Sequence, residues 1–527
     1  MIGSYVALGM LALLGLAALT GFFKGMGRGF AKQLVRLVTT GAALFAAIFA
    51  MDFATSYINN MFEGKTLDEA ITTFYPAYTT AVDEGIREII SCFDAETARI
   101  LVLLPIAAIV LPLVFVIAFA LLNGIMWIVY WIVTSIIGMT GFKKGMLSRL
   151  LGAVIGCAQS VAVTAIMLVP LVGLLGMAGD VKTTLHETEH MNAETLADVD
   201  EIYAEYLDEA IASPVTSLIA QFGGEALYSH ISSVQIGENV TDSRDSIVTL
   251  AAVALDGIGL QDINWNEPSA EDQEALREIV AKIESDKNVA TIVAGAIKGA
   301  STAVHGGSIE IEVGEPFNAI IDSFFEGFSH TTYQTLHEDL NTLLDFYFIL
   351  GDSGFIASIT GEEADTEAIS DLLVAKDENG KTVIDRVIET LKSNERTKPM
   401  VSALTQLSVA LLCESLGLDE DATQLYEDVK GSVNDVLTMN KSDFETEEEY
   451  KEAVSTQLDS ALKDHDIELE KEIVDEMANT IAEKYGDRDD ITDEDVDEAI
   501  LSYYDAYQKY LETGDTSGLP EDFPELD

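Results

Sequence analysis

Four long apolar segments in the first third of the chain constrain its fold more than any other feature. Residues 1–51 and 100–179 contain no aspartate or glutamate. A helix needs about 20 apolar residues to cross the hydrocarbon core of a bilayer. The sequence therefore predicts four membrane-spanning helices, at about residues 4–23, 33–51, 100–122 and 150–178. Because no basic segment precedes the first of them, we expect that helix to be retained rather than cleaved.

The third apolar segment, residues 100–138, is longer than one ordinary span. It could form a hairpin that turns at Asn123, or a single span followed by a helix along the membrane interface. A hairpin would place Lys143 outside the cell, against the positive-inside rule. We therefore predict one span and then an interfacial helix over about residues 124–138, where aromatic side chains favour the headgroup region.

The basic residues near the spans predict how the chain is oriented. They form two clusters without acidic residues, and such clusters accumulate on the cytoplasmic side of a membrane. Residues 52–99, in contrast, carry nine acidic and three basic residues and are predicted to lie outside. By alternation, the N-terminus and the region after Asp180 also lie outside. The first cluster is Lys24, Arg28, Lys32 and Arg36, and the second is Lys143, Lys144 and Arg149.

The rest of the chain is strongly acidic. Residues 180–527 hold 79 of the 88 acidic residues and only 20 basic ones. This charge excludes nucleic acid as a partner, because the phosphate backbone would be repelled. A solvated acidic surface is the favoured interpretation. The three cysteines, Cys92, Cys157 and Cys413, have no C-x-x-C spacing, so the sequence indicates neither a disulfide framework nor a cysteine zinc site.

Helical patterns continue through the acidic region. Apolar residues recur three and four positions apart along residues 193–211, as in an amphipathic helix. Thr446 and Thr492 each precede an acidic residue by three positions and are predicted to cap helices. We predict a mostly α-helical exported domain over residues 180–512, as one domain or two. One strand is predicted in "SIEIEV" at residues 308–313, and a disordered acidic tail at residues 513–527.

Two short motifs give the membrane part a family resemblance. "RGFAKQLVRLVTTG" opens the second span and "SRLLGAVIG" opens the fourth. Their order and spacing resemble the colicin V production (CvpA) family of bacterial membrane proteins, over about residues 1–179. Ser148 stands where that family usually has aspartate or asparagine, and Ser160 stands where a third small residue, often glycine, is common. The residues that match the family motif are Arg28, Gly29, Gly41, Arg149, Gly152 and Gly156.

The resemblance implies a multi-pass protein of the bacterial cytoplasmic (inner) membrane, linked to colicin V toxin production or export and to envelope maintenance. Arg28 would lie at the cytoplasmic headgroups, and Gly29 would permit a tight entry into the second span. Gly152 and Gly156 lie four residues apart on one helix face, where small residues let helices approach closely. The implied partners are the lipid bilayer, envelope proteins and further copies of this chain packed through the spans.

A different motif, "HETEH", follows the fourth span at residues 186–190. On a helix, two histidines four residues apart can bind zinc while the glutamate activates a water molecule. The intervening residues are polar, whereas a zinc-protease helix crosses the protein core, so this interpretation is disfavoured. The residues of this hypothetical site are His186, Glu187 and His190, with Glu194, Asp208 or Glu209 as the third ligand.

The favoured function is therefore that of a CvpA-like membrane protein acting through protein interactions of its acidic region, and not an enzyme. No cofactor is predicted. The first alternative is a membrane-tethered zinc peptidase that uses the HETEH motif, and the second is a channel formed by oligomerised spans. A coupled transporter is disfavoured because the spans carry no ionisable residue at depth, whereas such carriers generally need one.

Overall fold

The computed structural model describes residues 2–500 with several gaps. The predicted strand at 308–313, the predicted tail, His190 and Lys143 lie outside the described residues. The gaps are residues 75, 77–86, 88–92, 140–144, 188–192, 237–238, 261–262, 307–316, 355, 357–380, 382, 416–421, 440, 442–443, 445, 465–470, 487–490, 493–494 and 498.

Four helices are long and apolar enough to cross a membrane, and a largely helical region follows them. This confirms the fold class predicted from the sequence. Each helix extends beyond its predicted span, because an α-helix continues past the apolar region until its backbone is interrupted. The candidate spans are Ile2–Arg28 (α1), Phe30–Phe62 (α2), Ala95–Ile136, and Met146–Glu187 (α6).

The third candidate span is one uninterrupted helical stretch. Helix α4 (Ala95–Pro105) passes through a π-helical turn (Ile106–Val110) into α5 (Leu111–Met139). The helix continues through Asn123 and the glycine after it, because a membrane helix tolerates glycine in its interior. The hairpin that the sequence disfavours is not formed in this described stretch, and the residues predicted as an interfacial helix, about 124–138, continue α5.

The four long helices pack as a bundle. Helix α1 lies along α6, and α2 lies against both α5 and α6. Their shared core includes Met10, Ala43 and Phe115, which are almost completely buried. Many apolar side chains on the same helices are instead exposed, as expected for surfaces that face lipid. Examples are Leu8, Leu16, Phe45, Phe49, Ile117, Leu121, Trp127 and Val154.

One compact unit comprises Met1–Asp262 and Glu278–Ala296. Beyond α6 it contains a two-stranded antiparallel sheet in which Ser233 pairs with Asp242. Residues from this later part, including Tyr228, belong to the same core as the long helices. The further elements that lie wholly in this unit are α3 (Leu67–Phe74), α7 (Ala193–Tyr206), α8 (Asp208–Ile211), α9 (Pro214–Ile219), a π-helical turn (Ala220–Gly224), α10 (Glu225–Ser232), β1 (Ser233–Ile236), β2 (Asn239–Asp242) and α11 (Ser243–Gly259).

The other compact unit comprises Ile263–Arg277 and Ile297–Asp527. It contains a cluster of buried apolar side chains that includes Tyr450 and Val454, both fully buried. The helices wholly in this unit are α14 (Phe317–Phe328), α15 (Leu336–Asp352), α16 (Val383–Lys392), α17 (Lys398–Ser415), α18 (Ala422–Leu437), α19 (Glu447–Asp464) and α20 (Lys471–Tyr485). Two more helices, α12 (Ala270–Ser285) and α13 (Lys287–His305), contain the points where the two units divide.

Both predicted helix caps are present. The hydroxyl of Thr446 accepts a hydrogen bond from the backbone N–H of Glu449 at 3.2 Å. Thr492 and Asp495 bond reciprocally, since each side chain accepts from the other residue's backbone N–H. The amphipathic stretch over residues 193–211 divides at Leu207, where the backbone leaves helical geometry (φ −125°). The sequence predicts the two caps correctly because a cap depends only on residues three positions apart.

Candidate functional site

A seam of glycines joins α1 to α6. Gly21 and Gly25 of α1 lie directly against Gly156 and Gly152 of α6. A Cβ atom added to any of these four residues would overlap the backbone of the opposite helix. Such contact requires small residues, as in other closely packed membrane helices. The structure therefore places both family-motif glycines of α6 in a backbone-to-backbone contact, whereas Gly41 has open space around its Cα.

The turn between α1 and α2 depends on Gly29. This residue has a φ of 78°, which glycine adopts without the steric cost that a side chain would bring. The backbone N–H of Phe30 then donates to the hydroxyl of Ser148, at 3.1 Å. Ser148 thus supplies a hydrogen-bond acceptor to the start of α2, where backbone N–H groups have no partner within the helix. Arg149, the next residue, is exposed.

A buried polar group joins α2 to α6. The Gln33 side-chain amide donates to the side-chain carbonyl of Gln159. The Gln159 amide in turn donates to the hydroxyl of Thr40, at 2.7 Å, and to the backbone carbonyl of Arg36, at 3.1 Å. Gln159 therefore forms hydrogen bonds between two of the long helices. Asn123, the other amide in an apolar helix, differs from it, because its Oδ1 has no hydrogen-bond partner among the described residues.

Two arginines meet one aromatic ring at the same end of the bundle. The Cζ atoms of Arg28 and Arg36 lie 5.3 and 5.8 Å from the ring centroid of Tyr130. Tyr130 is buried, with only 6% of its surface exposed. Arg28 is the last residue of α1, Arg36 lies in the second turn of α2, and Tyr130 belongs to α5. Three helices thus contribute to this cluster, which we call the arginine–tyrosine cluster.

The arginine–tyrosine cluster carries two positive charges that no ion pair offsets in the described part of the bundle. Neither arginine forms an ion pair with a residue in the described ranges, and residues 1–51 and 100–179 contain no acid. Lys24 and Arg149, at the same ends of α1 and α6, are exposed. One terminal nitrogen of Arg36, Nη1, is buried and has no hydrogen-bond partner among the described residues. Chemically, this arrangement suits a bound anion.

The first part of the HETEH motif lies in an ionic cluster. His186 contacts the Asp200 carboxylate at 2.9 Å through Nε2. The ammonium group of Lys182 bonds to both carboxylate oxygens of Asp208 at 3.0 Å and lies 3.4 Å from Asp200. The hydrogen bond with His186, followed by that with Lys182, lowers the pKa of Asp200 below its ordinary value.

This cluster differs from a zinc-protease site in the part that the structure describes. Helix α6 is described as far as Glu187, one residue after His186. The ring nitrogen Nε2 of His186 is engaged with Asp200, and a carboxylate paired with a lysine is a poor metal ligand. Among the described residues, no group of three histidine, cysteine or acidic side chains is arranged to hold a metal ion. His190 lies outside those residues, and the side chain of Glu194 is not described either.

At the other end of the bundle, Tyr228 fills a socket between two of the long helices. Its ring packs directly on Gly173 of α6, and its hydroxyl donates to the backbone carbonyl of Ala108 at 2.8 Å. Pro112 has no N–H, so it cannot donate to that carbonyl as an ordinary helical residue would. Burial raises the pKa of Tyr228 to about 12, which keeps the hydroxyl protonated as a donor.

The sequence identified some members of these sites but not their association. Arg28 and Arg36 were assigned to a cytoplasmic basic cluster, and Tyr130 falls within residues 124–138, which were predicted as an interfacial helix. Gln33 was missed, although a glutamine in an apolar helix is itself a signal for a buried hydrogen bond. No known protein family, curated protein or solved structure matches this chain.

Proposed function

We propose that this chain is a CvpA-like protein of the bacterial cytoplasmic membrane, with its basic end inside and its acidic region outside. The single observation that supports this most is the position of the basic residues. Arg28 and the residues that open α2 and α6 lie together at one end of the bundle, as the contact between Phe30 and Ser148 demonstrates. Basic residues concentrated at one end favour the cytoplasmic side.

The membrane part, in this proposal, anchors and organises the protein rather than transporting a solute. Its buried polar group consists of Gln33, Gln159 and Thr40, which are neutral and bonded mainly to one another. A coupled transporter generally needs ionisable groups that change their charge within the bilayer. The glycine seam instead gives α1 and α6 a fixed close contact, which suits a structural role.

The acidic region would act by contacting other proteins of the cell envelope. Its large excess of acidic residues favours basic partner surfaces and repels anionic ones. By resemblance to the CvpA family, we propose a role in envelope maintenance or in the production or export of a colicin V-type toxin.

Labelling of the native cysteines tests the orientation. We would prepare variants that keep only Cys92 or only Cys157 and treat intact spheroplasts with a membrane-impermeant thiol reagent. Cys92 belongs to residues 52–99, so it should react; Cys157 lies within α6, in the apolar bundle, and should not. Permeabilised cells provide the control for thiol reactivity. Labelling of Cys92 only after permeabilisation would show that the proposed orientation is inverted.

A further inference from the structure

We propose that the arginine–tyrosine cluster binds the phosphate group of an anionic membrane lipid. Arg28 and Arg36 would hold the phosphate beside the ring of Tyr130. This inference rests on the membrane location proposed above, but it does not depend on which side of the membrane the cluster faces.

The geometry brings two positive charges together without an internal counter-ion. Both guanidinium groups lie within 6 Å of one aromatic ring, by the distances given above. The ring attracts each cation, while the two cations repel each other. No acidic residue of α1, of the first turns of α2, or of α5 is available to compensate them. An anion from the surroundings would remove this repulsion.

The available hydrogen-bond donors favour phosphate. Nη1 of Arg36 is buried without a partner among the described residues, although guanidinium nitrogens are strong donors. Arginine binds phosphate through two parallel hydrogen bonds, which a single ammonium group cannot reproduce. Arg28, at the end of α1, has intermediate exposure, so it can reach the same ligand from the aqueous side.

The surroundings of the cluster favour a lipid over free phosphate. Next to Tyr130 on α5, the large apolar side chains of Trp127, Ile128 and Trp131 are all more than half exposed. They offer a surface for acyl chains directly beside the charged cluster. Basic side chains at the end of a membrane helix lie at the depth of the headgroups, where lipid phosphates are concentrated.

Native mass spectrometry of the full chain in a neutral detergent tests this proposal. The protein would be incubated with phosphatidylglycerol or with phosphatidylcholine, and the retained lipids counted. We expect the wild type to retain one phosphatidylglycerol with at least about tenfold preference over phosphatidylcholine. Arg28→Gln and Arg36→Gln should each remove most of that preference, because each deletes one guanidinium group.

Lys24→Gln is the matched control. Lys24 lies one turn before Arg28 on α1, is exposed, and carries the same charge. Its replacement should leave lipid retention unchanged if the geometry of the cluster matters, and an equal loss in this variant would overturn the proposal. Arg36→Lys, which keeps the charge but loses the planar fork, should show intermediate retention. Each variant is compared only if it elutes as a single folded species.

Two further arms identify the source of the phosphate. Inorganic phosphate and glycerol phosphate would be added at millimolar concentration to the lipid-bound protein. Continued lipid retention supports a lipid site, whereas displacement by either ion would overturn it in favour of a soluble anion. Equal retention of phosphatidylcholine would also contradict the proposal. These results are independent of the thiol-labelling pattern, so failure of this inference can be distinguished from failure of the proposed orientation.

Discussion

At the scale of single residues, the glycine seam leaves no room for a side chain between α1 and α6. Gly25 of α1 contacts the backbone of Gly152, and no flexible side chain separates the two helices. A methyl group at this position cannot be accommodated by a change of rotamer. The two helices would have to move apart, and the dispersion contacts along the seam would be weakened.

Gly25→Ala should therefore destabilise the bundle by about 1–3 kcal/mol, the usual cost of overpacking. Thermal unfolding in detergent, followed by circular dichroism, would measure the change. Gly15→Ala in the same helix is the control, because its Cβ would meet no atom within 4 Å. We expect that control to be neutral or slightly stabilising, since alanine favours helix formation over glycine. Equal effects of the two substitutions would contradict the seam as a packing constraint.

The ion pairs of Asp200 predict a pH-dependent contribution to stability. Because its pKa is lowered in the folded protein, the folded state favours the ionised carboxylate. The resulting stabilisation is present above the ordinary aspartate pKa of about 4 and is lost as pH falls through the lowered folded value. Its size should be small, because surface ion pairs contribute little.

We therefore expect Asp200→Asn to lower the unfolding temperature slightly at pH 7 and to have no effect in strong acid. Thermal unfolding over a series of pH values would measure the difference from the wild type. Asp198→Asn, an exposed position on the same helix, is the matched control and should be neutral throughout. A destabilisation by Asp200→Asn that persists unchanged in acid would argue against the ionic contact with His186 and Lys182.

At the scale of helices, the pairing of α2 with α6 depends on a polar contact inside an apolar surface. Gln33 is 2% and Gln159 6% exposed, so neither amide can turn to water if its partner is removed. A buried polar group without a partner costs free energy, whereas removing both partners together is much less unfavourable.

This asymmetry can be measured with a double-mutant cycle. Gln33→Leu and Gln159→Leu should each destabilise the protein, and hydrogen bonds between membrane helices contribute about 0.6 kcal/mol on average. The double variant should lose less than the sum of the two single losses, because it leaves fewer amide groups unpaired. Unfolding temperatures of all four proteins in the same detergent provide the measurement. Strict additivity would show that the two amides do not interact.

The helices were predictable to the extent that local sequence determines them. Hydropathy identifies the four apolar helices because a helix that crosses a membrane needs apolar side chains along its whole length. It does not locate their ends, as the extension of α6 to Glu187 shows. The cluster of Arg28, Arg36 and Tyr130 could not be predicted, because it depends on how three helices are rotated about their axes. That rotation is set by packing between residues far apart in sequence.

At the scale of the whole molecule, the point where the chain becomes acidic does not coincide with the boundary of the compact unit that contains the four long helices. The chain becomes acidic after Asp180, yet one compact unit includes residues up to Asp262. Val215, Ile219 and Tyr228 belong to the same buried core as Met10 of α1. Charge therefore marks where the chain is predicted to leave the membrane, whereas packing marks what folds together. The predicted start of the exported domain at residue 180 therefore rests on composition alone, and it stays a prediction.

The antiparallel contact of α1 with α6 also sets the bilayer thickness that the protein fits. The same number of residues, counted along each helix from the Gly21–Gly156 contact, leads to Ser4 in α1 and to Gly173 in α6, so these two residues lie at one level of the bundle. Tyr228 packs on Gly173. Between Ser4 and Lys24, α1 rises about 30 Å, which matches the thickness of the hydrocarbon layer of a typical bilayer. Since the seam prevents the two helices from sliding, a thicker bilayer would have to thin around the protein, whereas a thinner one would be matched by tilting both helices together.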